Sequence, residues 1–392
     1  MRNRQLFLVT MAFAISFSVW GLISALAPHF KDIYKLTTFQ TSVMIAIPVI
    51  LGSLLRIPMG ILADRYGGRL IFTLLLAFGI VPAAGIALMH SYHSLLFWGF
   101  LLGSAGSSFA VGVSFTSRWF PAAQQGAALG IFGVGNIGQS VAVFFAPRLS
   151  DRFGWEWVFW LFGALSLVWA IVFWSLARDA TAARATSLGH IAAVFIHQRL
   201  SWLLAFFYFI TFGGFVALGI YLPTLLKTEF HLSLADAGLR TAGFVVVATL
   251  VRPFGGWLSD QVAASRVLIG VFSALVILAL LLTSTNIVVF TIGALGGAGT
   301  LGIGNGAVFK LVPQYFPTEV GVVTGLVGAL GGLGGFFPPI VLGIVKDTTG
   351  GYALGFVLLA FSALAALIAD LVILTGGRSH HPQTEANRQS GG

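Results

Sequence analysis

Apolar runs of twenty residues or more follow one another along almost the whole 392-residue chain, separated by short polar breaks. Each run is long enough to cross a hydrocarbon core about 30 Å thick as a single helix. In that solvent every backbone N–H and C=O needs a partner within the chain, so the runs are expected as α-helices and not as open sheets. Charged residues make up 8% of the chain, against roughly 25% in ordinary globular proteins. The fold class expected is an all-α integral membrane protein. The spans are read as 6–28, 38–62, 70–90, 95–117, 125–147, 155–177, 201–226, 237–259, 266–285, 287–311, 319–345 and 352–375, twelve in all and six in each half. Basic residues at Met1–Arg4 precede the first run, but that run is too long for the core of a cleaved signal peptide and reads as the first span.

The two halves repeat. The stretch Leu55–Asp64 recurs 196 positions later as Val251–Asp260, pairing Arg56 with Arg252, Gly60 with Gly256, Leu62 with Leu258 and Asp64 with Asp260. Two pseudo-symmetric six-helix bundles are therefore expected, 1–177 and 201–376, joined by a cytoplasmic linker at 178–200 and followed by a disordered tail at 377–392. Each Asp ends an apolar run and each Arg lies eight residues inside it. At about 1.5 Å per residue this buries the guanidinium groups roughly 12 Å deep, near the midplane. A charge there costs about 2.5–3.5 kcal/mol on insertion scales and by default marks a functional site. Backbone carbonyls or snorkelling to an interface are the structural alternatives, and recurrence at matched depth in both halves weighs against them.

Several function classes are excluded or weakened. The net charge of +9 is scattered through short loops, which does not read as nucleic-acid binding. The chain has no Cys, so disulfides and thiolate metal sites are absent. Every His falls at a loop or span end, and His90 with His93 has no carboxylate beside it in sequence, so no metal site is expected. No Gly-rich phosphate loop, Ser–His–Asp set or paired acids share one plausible site, so neither an enzyme nor a cofactor is expected. Arginines such as Arg65, Arg69, Arg118 and Arg178 crowd alternate loops, which places both termini in the cytoplasm of a multi-pass inner-membrane protein.

Gly60, Asp64, Arg65, Gly67, Gly68 and Arg69 close the second span and open the third. This pattern resembles the loop signature of the major facilitator superfamily, G-x-L-a-D-R-x-G-R-[RK]. The resemblance implies a cytoplasmic latch of Gly60, Asp64, Arg65, Gly68 and Arg69, echoed at Asp260. The second copy lacks the following Arg and the paired Gly, so a weaker latch is expected there. Glycines crowd two corresponding regions. One holds Gly126, Gly130 and Gly133, and the other Gly325, Gly328 and Gly332. Small residues at such spacing allow close helix packing. Asn136, a polar amide at mid-span, needs a partner and is expected to face the central cavity.

The G-x-G-N-x-G run ending at Gly138, the Gly331–Pro339 run and the two intramembrane arginines are together similar to the nitrate/nitrite porter family of that superfamily. The resemblance implies that Arg56 and Arg252 clamp a small inorganic anion, nitrate or nitrite, on the two-fold axis. It further implies that Phe109 and Phe212 sandwich the anion, and that Asn136 and Tyr208 hydrogen-bond it. A planar guanidinium offers paired donors that match two oxygens of a flat anion, which Lys does not. A monomeric carrier exchanging nitrate for nitrite across the bilayer is expected. Proton-coupled symport and a carrier for another small anion, such as a short carboxylate, remain alternatives. Asp370, the one acid inside a span, lies far along the last helix and is expected to be paired or interfacial.

Overall fold

The computed structural model describes residues 1–180, 199–316 and 320–375, and among these the chain is helical without a strand. Twelve helices are long and apolar enough to cross a membrane. They are α1 (Arg2–Ile33), α2 (Thr38–Tyr66), α3 (Gly68–Leu88), α4 (Tyr92–Trp119), α5 (Ala128–Phe153), α6 (Trp155–Leu176), α7 (Arg199–Phe230), α8 (Leu234–Gln261), α9 (Ala264–Leu281), α10 (Ile287–Val312), α11 (Val323–Thr349) and α12 (Ala353–Leu374). Their number and order match the sequence reading. The expected linker and tail fall mostly on 181–198 and 376–392, outside the described residues. Large apolar side chains such as Leu165, Val168 and Ile171 on α6, and Leu358, Phe361 and Ile368 on α12, are exposed, as lipid-facing surfaces require.

Several helices are broken near mid-depth, and their sequences say why. In α2 the helix turns at Leu55, immediately before Arg56. Pro58 supplies no N–H to the carbonyl of Leu54 and its ring crowds that turn. In α11 a tight turn interrupts the helix at Gly334–Phe336, where Gly335 N–H bonds Gly332 and Phe336 N–H bonds Leu333, both at 3.0 Å. Pro338 and Pro339 leave the carbonyls of Gly334 and Gly335 without their usual donors. In α4 and α5 the breaks are short 3₁₀ segments, Gly103–Ser107 and Val134–Ile137. Broken helices at this depth are tolerated where protein or a cavity surrounds them.

Close helix packing rests on small residues. A Cβ on Gly138 would stand 1.8 Å from the Ala14 carbonyl oxygen, so α1 and α5 touch backbone to backbone. Gly138→Ala is expected to force these helices apart, which overpacking data put at about 1–3 kcal/mol or more. The check is a thermal-shift comparison with Gly270→Ala, whose added carbon meets nothing within 4 Å. The expectation is a clear drop in midpoint for the first variant and none for the second.

The helices of each half pack mainly on one another, and the halves meet along α1–α7, α2–α11 and α5–α8. Hydrogen bonds between the halves gather at the end away from the termini. Lys227 pairs with Asp32 at 2.5 Å, and the Phe39 N–H donates to Asp347 Oδ2 at 2.8 Å. Ser42 Oγ donates to the Tyr221 hydroxyl at 3.1 Å, and Arg148 reaches the Ala235 carbonyl at 3.3 Å. Toward the termini a Cβ added to Gly130, Gly256 or Gly325 would meet no atom within 4 Å.

Candidate functional site

Arg56 and Arg252 enter the gap between the halves from α2 and α8. Arg56 is 5% exposed, and its Nη1 donates to the Gly328 carbonyl of α11 at 2.5 Å, a bond between halves. Arg252 is half-buried, and its Nη2 donates to the Tyr208 hydroxyl of α7 at 3.2 Å. Both guanidinium groups address the Phe109 ring of α4, at 5.4 Å for Arg56 and 6.0 Å for Arg252. One shared ring therefore keeps the two guanidinium carbons within about 11 Å of each other. Cation–π contacts of this kind contribute about 0.5–2 kcal/mol each, too little to cancel the cost of two buried like charges. Among the described residues neither arginine has a carboxylate within ion-pair distance.

The aromatic setting is wider than the sequence reading. Phe212 lies 5.2 Å from Arg56 and stacks on Tyr208 at 4.9 Å with rings 4° apart. It touches the Arg56 side only. The ring beside Arg252 is Phe309 of α10, 5.4 Å from the guanidinium. Phe309 also packs edge-on to Tyr208 at 4.8 Å and lies 6.4 Å from Phe109. Sequence reasoning missed Phe309. Its only signal was one Phe among 36, four positions past the repeat mate of Phe109, which is Asn305.

Asn136 sits in the 3₁₀ segment of α5, 2% exposed. Its Nδ2 donates to the Gly133 carbonyl at 2.8 Å, and its Oδ1 has no protein partner. A Cβ on Gly133 would be 4.0 Å from the Arg252 Cζ, which puts this turn of α5 beside that guanidinium. Of the glycines read as packing positions, Gly332 lies 3.2 Å by the same measure from the Arg56 Cζ, and Gly328 lies 3.8 Å from Phe109. Gly130 and Gly325 face open space. Gly332 packs α11 tightly against Ser53 and Arg56 of α2, where an added carbon would stand 2.5 Å from the Ser53 Oγ, whereas Gly130 and Gly325 make no such contact. Gly126 belongs to the helix that leads into α5, but its surroundings lie outside the described residues.

The latch residues tie helices within one half. Asp64 accepts from Ser114 Oγ at 2.5 Å and pairs with Arg118 at 2.8 Å, joining α2 to α4. Gly60 makes ordinary contact with Ala110, 3.8 Å from its added carbon. Gly68 lies against Phe115, with only 2.8 Å for a Cβ. Arg69 donates twice to the Trp174 carbonyl and stacks on that indole at 4.2 Å, joining α3 to α6. Arg65 is exposed and touches only the ring of Tyr66, at 5.3 Å, among these contacts. Asp260 pairs with Lys310 of α10. Lys310 matches Ser114 in the repeat, so the basic partner has moved one turn from the position of Arg118. The second copy is therefore anchored, although it lacks the Arg that follows Asp64.

Two further expectations meet the structure. The reading of His90 as lacking a carboxylate neighbour is corrected, because Glu156, in the first turn of α6, stands 3.6 Å from its Nε2. Asp370 is fully buried and accepts from Ser265 Oγ of α9 at 2.8 Å, which makes it paired as expected. A small cavity between α7, α9, α10 and α12 is lined by side chains such as Leu218, Leu275 and Leu301, with no charged or hydrogen-bonding side chain. It is unsuited to an ion.

The sequence profile described as Major Facilitator Superfamily matches residues 8–225 and again 204–391. The chain is 42% identical to a nitrite extrusion protein of Bacillus subtilis, covering 98% of both chains. It is 38% identical to a probable nitrate transporter of Staphylococcus epidermidis, over 93% of this chain and 94% of that one. A probable nitrate/nitrite antiporter of Thermus thermophilus is 36% identical, over 95% and 92% of the two chains. Among solved structures, a bacterial homolog of the human lysosomal transporter Spinster superposes with a TM-score of 0.69 at 19% identity. That match covers 95% of this chain and 96% of the other, and it bears on the fold alone.

Proposed function

The chain belongs to the nitrate/nitrite porter family of the major facilitator superfamily, and from that premise we propose that it carries nitrate and nitrite across the cytoplasmic membrane by alternating access. The bundles 1–177 and 201–376 rock about the arginine pair, with both termini in the cytoplasm and one chain as the working unit. The observation that carries this reading is the pair Arg56 and Arg252, one from each half, gathered on the Phe109 ring with no carboxylate paired to either among the described residues. A flat monoanion supplies the missing charge and offers acceptor oxygens to both guanidinium forks. The Gly328 carbonyl and the Tyr208 hydroxyl hold the forks in place. Removing the Tyr208 hydroxyl as Tyr208→Phe is expected to weaken nitrate binding about tenfold, the scale of one hydrogen bond to a charged group. Titration of the purified variant with nitrate checks this.

Charge also bears on coupling. Moving a monoanion inward against an inside-negative potential costs about 2.3 kcal/mol per 100 mV. Exchange of nitrate for nitrite cancels that cost, and Asp370 bonds Ser265 and pairs with neither arginine. We therefore assign exchange. Proteoliposomes loaded with nitrite are expected to take up external nitrate rapidly, whereas liposomes loaded with chloride or formate are not. Equal uptake from chloride-loaded liposomes, driven by an acidic exterior, would establish proton symport instead.

A further inference from the structure

The middle of α10 carries a buried amide that the site described so far does not use. Asn305 is 2% exposed. Its Oδ1 is buried without a partner, and its Nδ2 bonds no described residue. The glycines on either side fix where it points. A Cβ on Gly304 would stand 2.6 Å from Thr211 Cγ2 of α7 and 3.0 Å from Val271 Cγ1 of α9. A Cβ on Gly306 would stand 2.3 Å from the Arg252 carbonyl oxygen of α8. At 3.6 residues per turn, Asn305 stands about 100° from each of these contacts, between α7 and α8. Phe309, four residues on, lies about 40° from it on the same face. That ring is the one beside Arg252 and Tyr208, so the Asn305 side chain addresses the same gap.

The internal repeat gives this direction independently. Asn305 lies 196 positions after Phe109, and Phe109 is the ring that both guanidinium groups share. Positions related by the repeat face the gap from opposite halves, so the first half supplies a ring there and the second an amide. Burying a polar group without a partner costs about 1–3 kcal/mol. Packing alone therefore favours an apolar side chain at 305, and the amide answers to a group that is not part of the protein. With neither end bonded, a half-turn of the amide brings its two N–H donors to the gap without breaking a hydrogen bond.

We propose that Asn305 is a substrate-binding residue that donates from Nδ2 to an oxygen of the anion held at Arg252. The proposal rests on the reading of the chain as an oxyanion carrier and adds a contact from α10 to it. Tyr208 then positions the Arg252 guanidinium, while Asn305 holds the anion itself. On the other side Arg56 is anchored by a backbone carbonyl.

The test compares nitrate titrations and nitrate-free melting of purified wild type, Asn305→Leu and Asn305→Asp. Leucine nearly fills the space of the amide and removes its donors. Nitrate affinity is expected to fall about tenfold, the scale of one hydrogen bond to a charged group, while the melting midpoint stays at or above that of wild type. Aspartate keeps the shape and brings a carboxylate to Arg252 as an internal anion. That variant is expected to fold, to melt no lower than wild type and to lose nitrate binding by more than a hundredfold. Nitrate affinity within twofold of wild type in either variant would overturn the assignment. So would a Leu variant that melts lower as it loses affinity, since that marks a packing role, or an Asp variant that fails to fold. Should the Leu variant not fold, the Asp variant decides. Wild-type protein that binds no nitrate would refute the carrier reading, and this role with it.

Discussion

Arg56→Lys and Arg252→Lys are each expected to lower nitrate transport by at least about a hundredfold, while the protein still reaches the membrane and folds. Lysine keeps the charge, so the loss isolates the fork. Each guanidinium divides its donors between an anchor and the gap. Arg56 holds Gly328 and Arg252 holds Tyr208, which leaves further N–H groups to face an anion. An ammonium cannot keep the anchor and present two parallel donors in a fixed plane. Losing two hydrogen bonds to charged groups, at about 1.5–3 kcal/mol each, exceeds the roughly 2.8 kcal/mol that corresponds to a hundredfold. Anion flux into proteoliposomes containing equal amounts of protein measures the effect. Flux within threefold of wild type from either variant would show that the fork is not needed.

The second large effect is expected from one methyl group. A Cβ on Gly331 would stand 2.1 Å from Tyr208 Cδ1 and 2.8 Å from its Cε1, so Gly331→Ala must displace that ring. The ring has little room to move. It is fully buried, stacked on Phe212 and closed in edge-on by Phe309. Its hydroxyl is the anchor of Arg252, so the added methyl unseats a guanidinium that it never touches. Overpacking of this kind costs about 1–3 kcal/mol, and the misplaced arginine adds to the loss of function. Nitrate transport is expected to fall more than tenfold. Gly325→Ala, on the same helix with nothing within 4 Å of the added carbon, is expected to transport like wild type. Matching activities in the two variants would show that the position of Tyr208 is not required.

The parts of this arrangement that the sequence made legible are those carried by side chains of unusual type at unusual depth. Arg56 and Arg252 stand out because charge in an apolar run is rare, and the 196-residue repeat places them at matching positions. Asn136 could be placed because a polar amide in a span needs a partner, and Tyr208 because its stretch resembles the seventh span of the porter family. The Gly328 carbonyl that holds Arg56 could not be found in this way, since a backbone acceptor leaves no mark in composition. Phe309 was hidden for a different reason. The repeat keeps the arginines in register but not the aromatics, because Phe109 has Asn305 as its mate and the ring on the other side lies one turn further along α10. Lys310 shows the same drift, pairing with Asp260 from the position that matches Ser114 and not from the one that matches Arg118. The glycine-rich stretches were recognisable, but their role divides by contact. Gly138 and Gly332 bring helices together, whereas Gly133 leaves space beside a guanidinium. Small residues alone do not say which.

The central claim is that one oxyanion sits between two guanidinium groups contributed by the two halves. Its most direct measurement is an experimental structure of the protein soaked in nitrate. The expected result is a planar density over Phe109 in contact with both Arg56 and Arg252. Nitrate bound elsewhere, or held by only one of the two arginines, would contradict it.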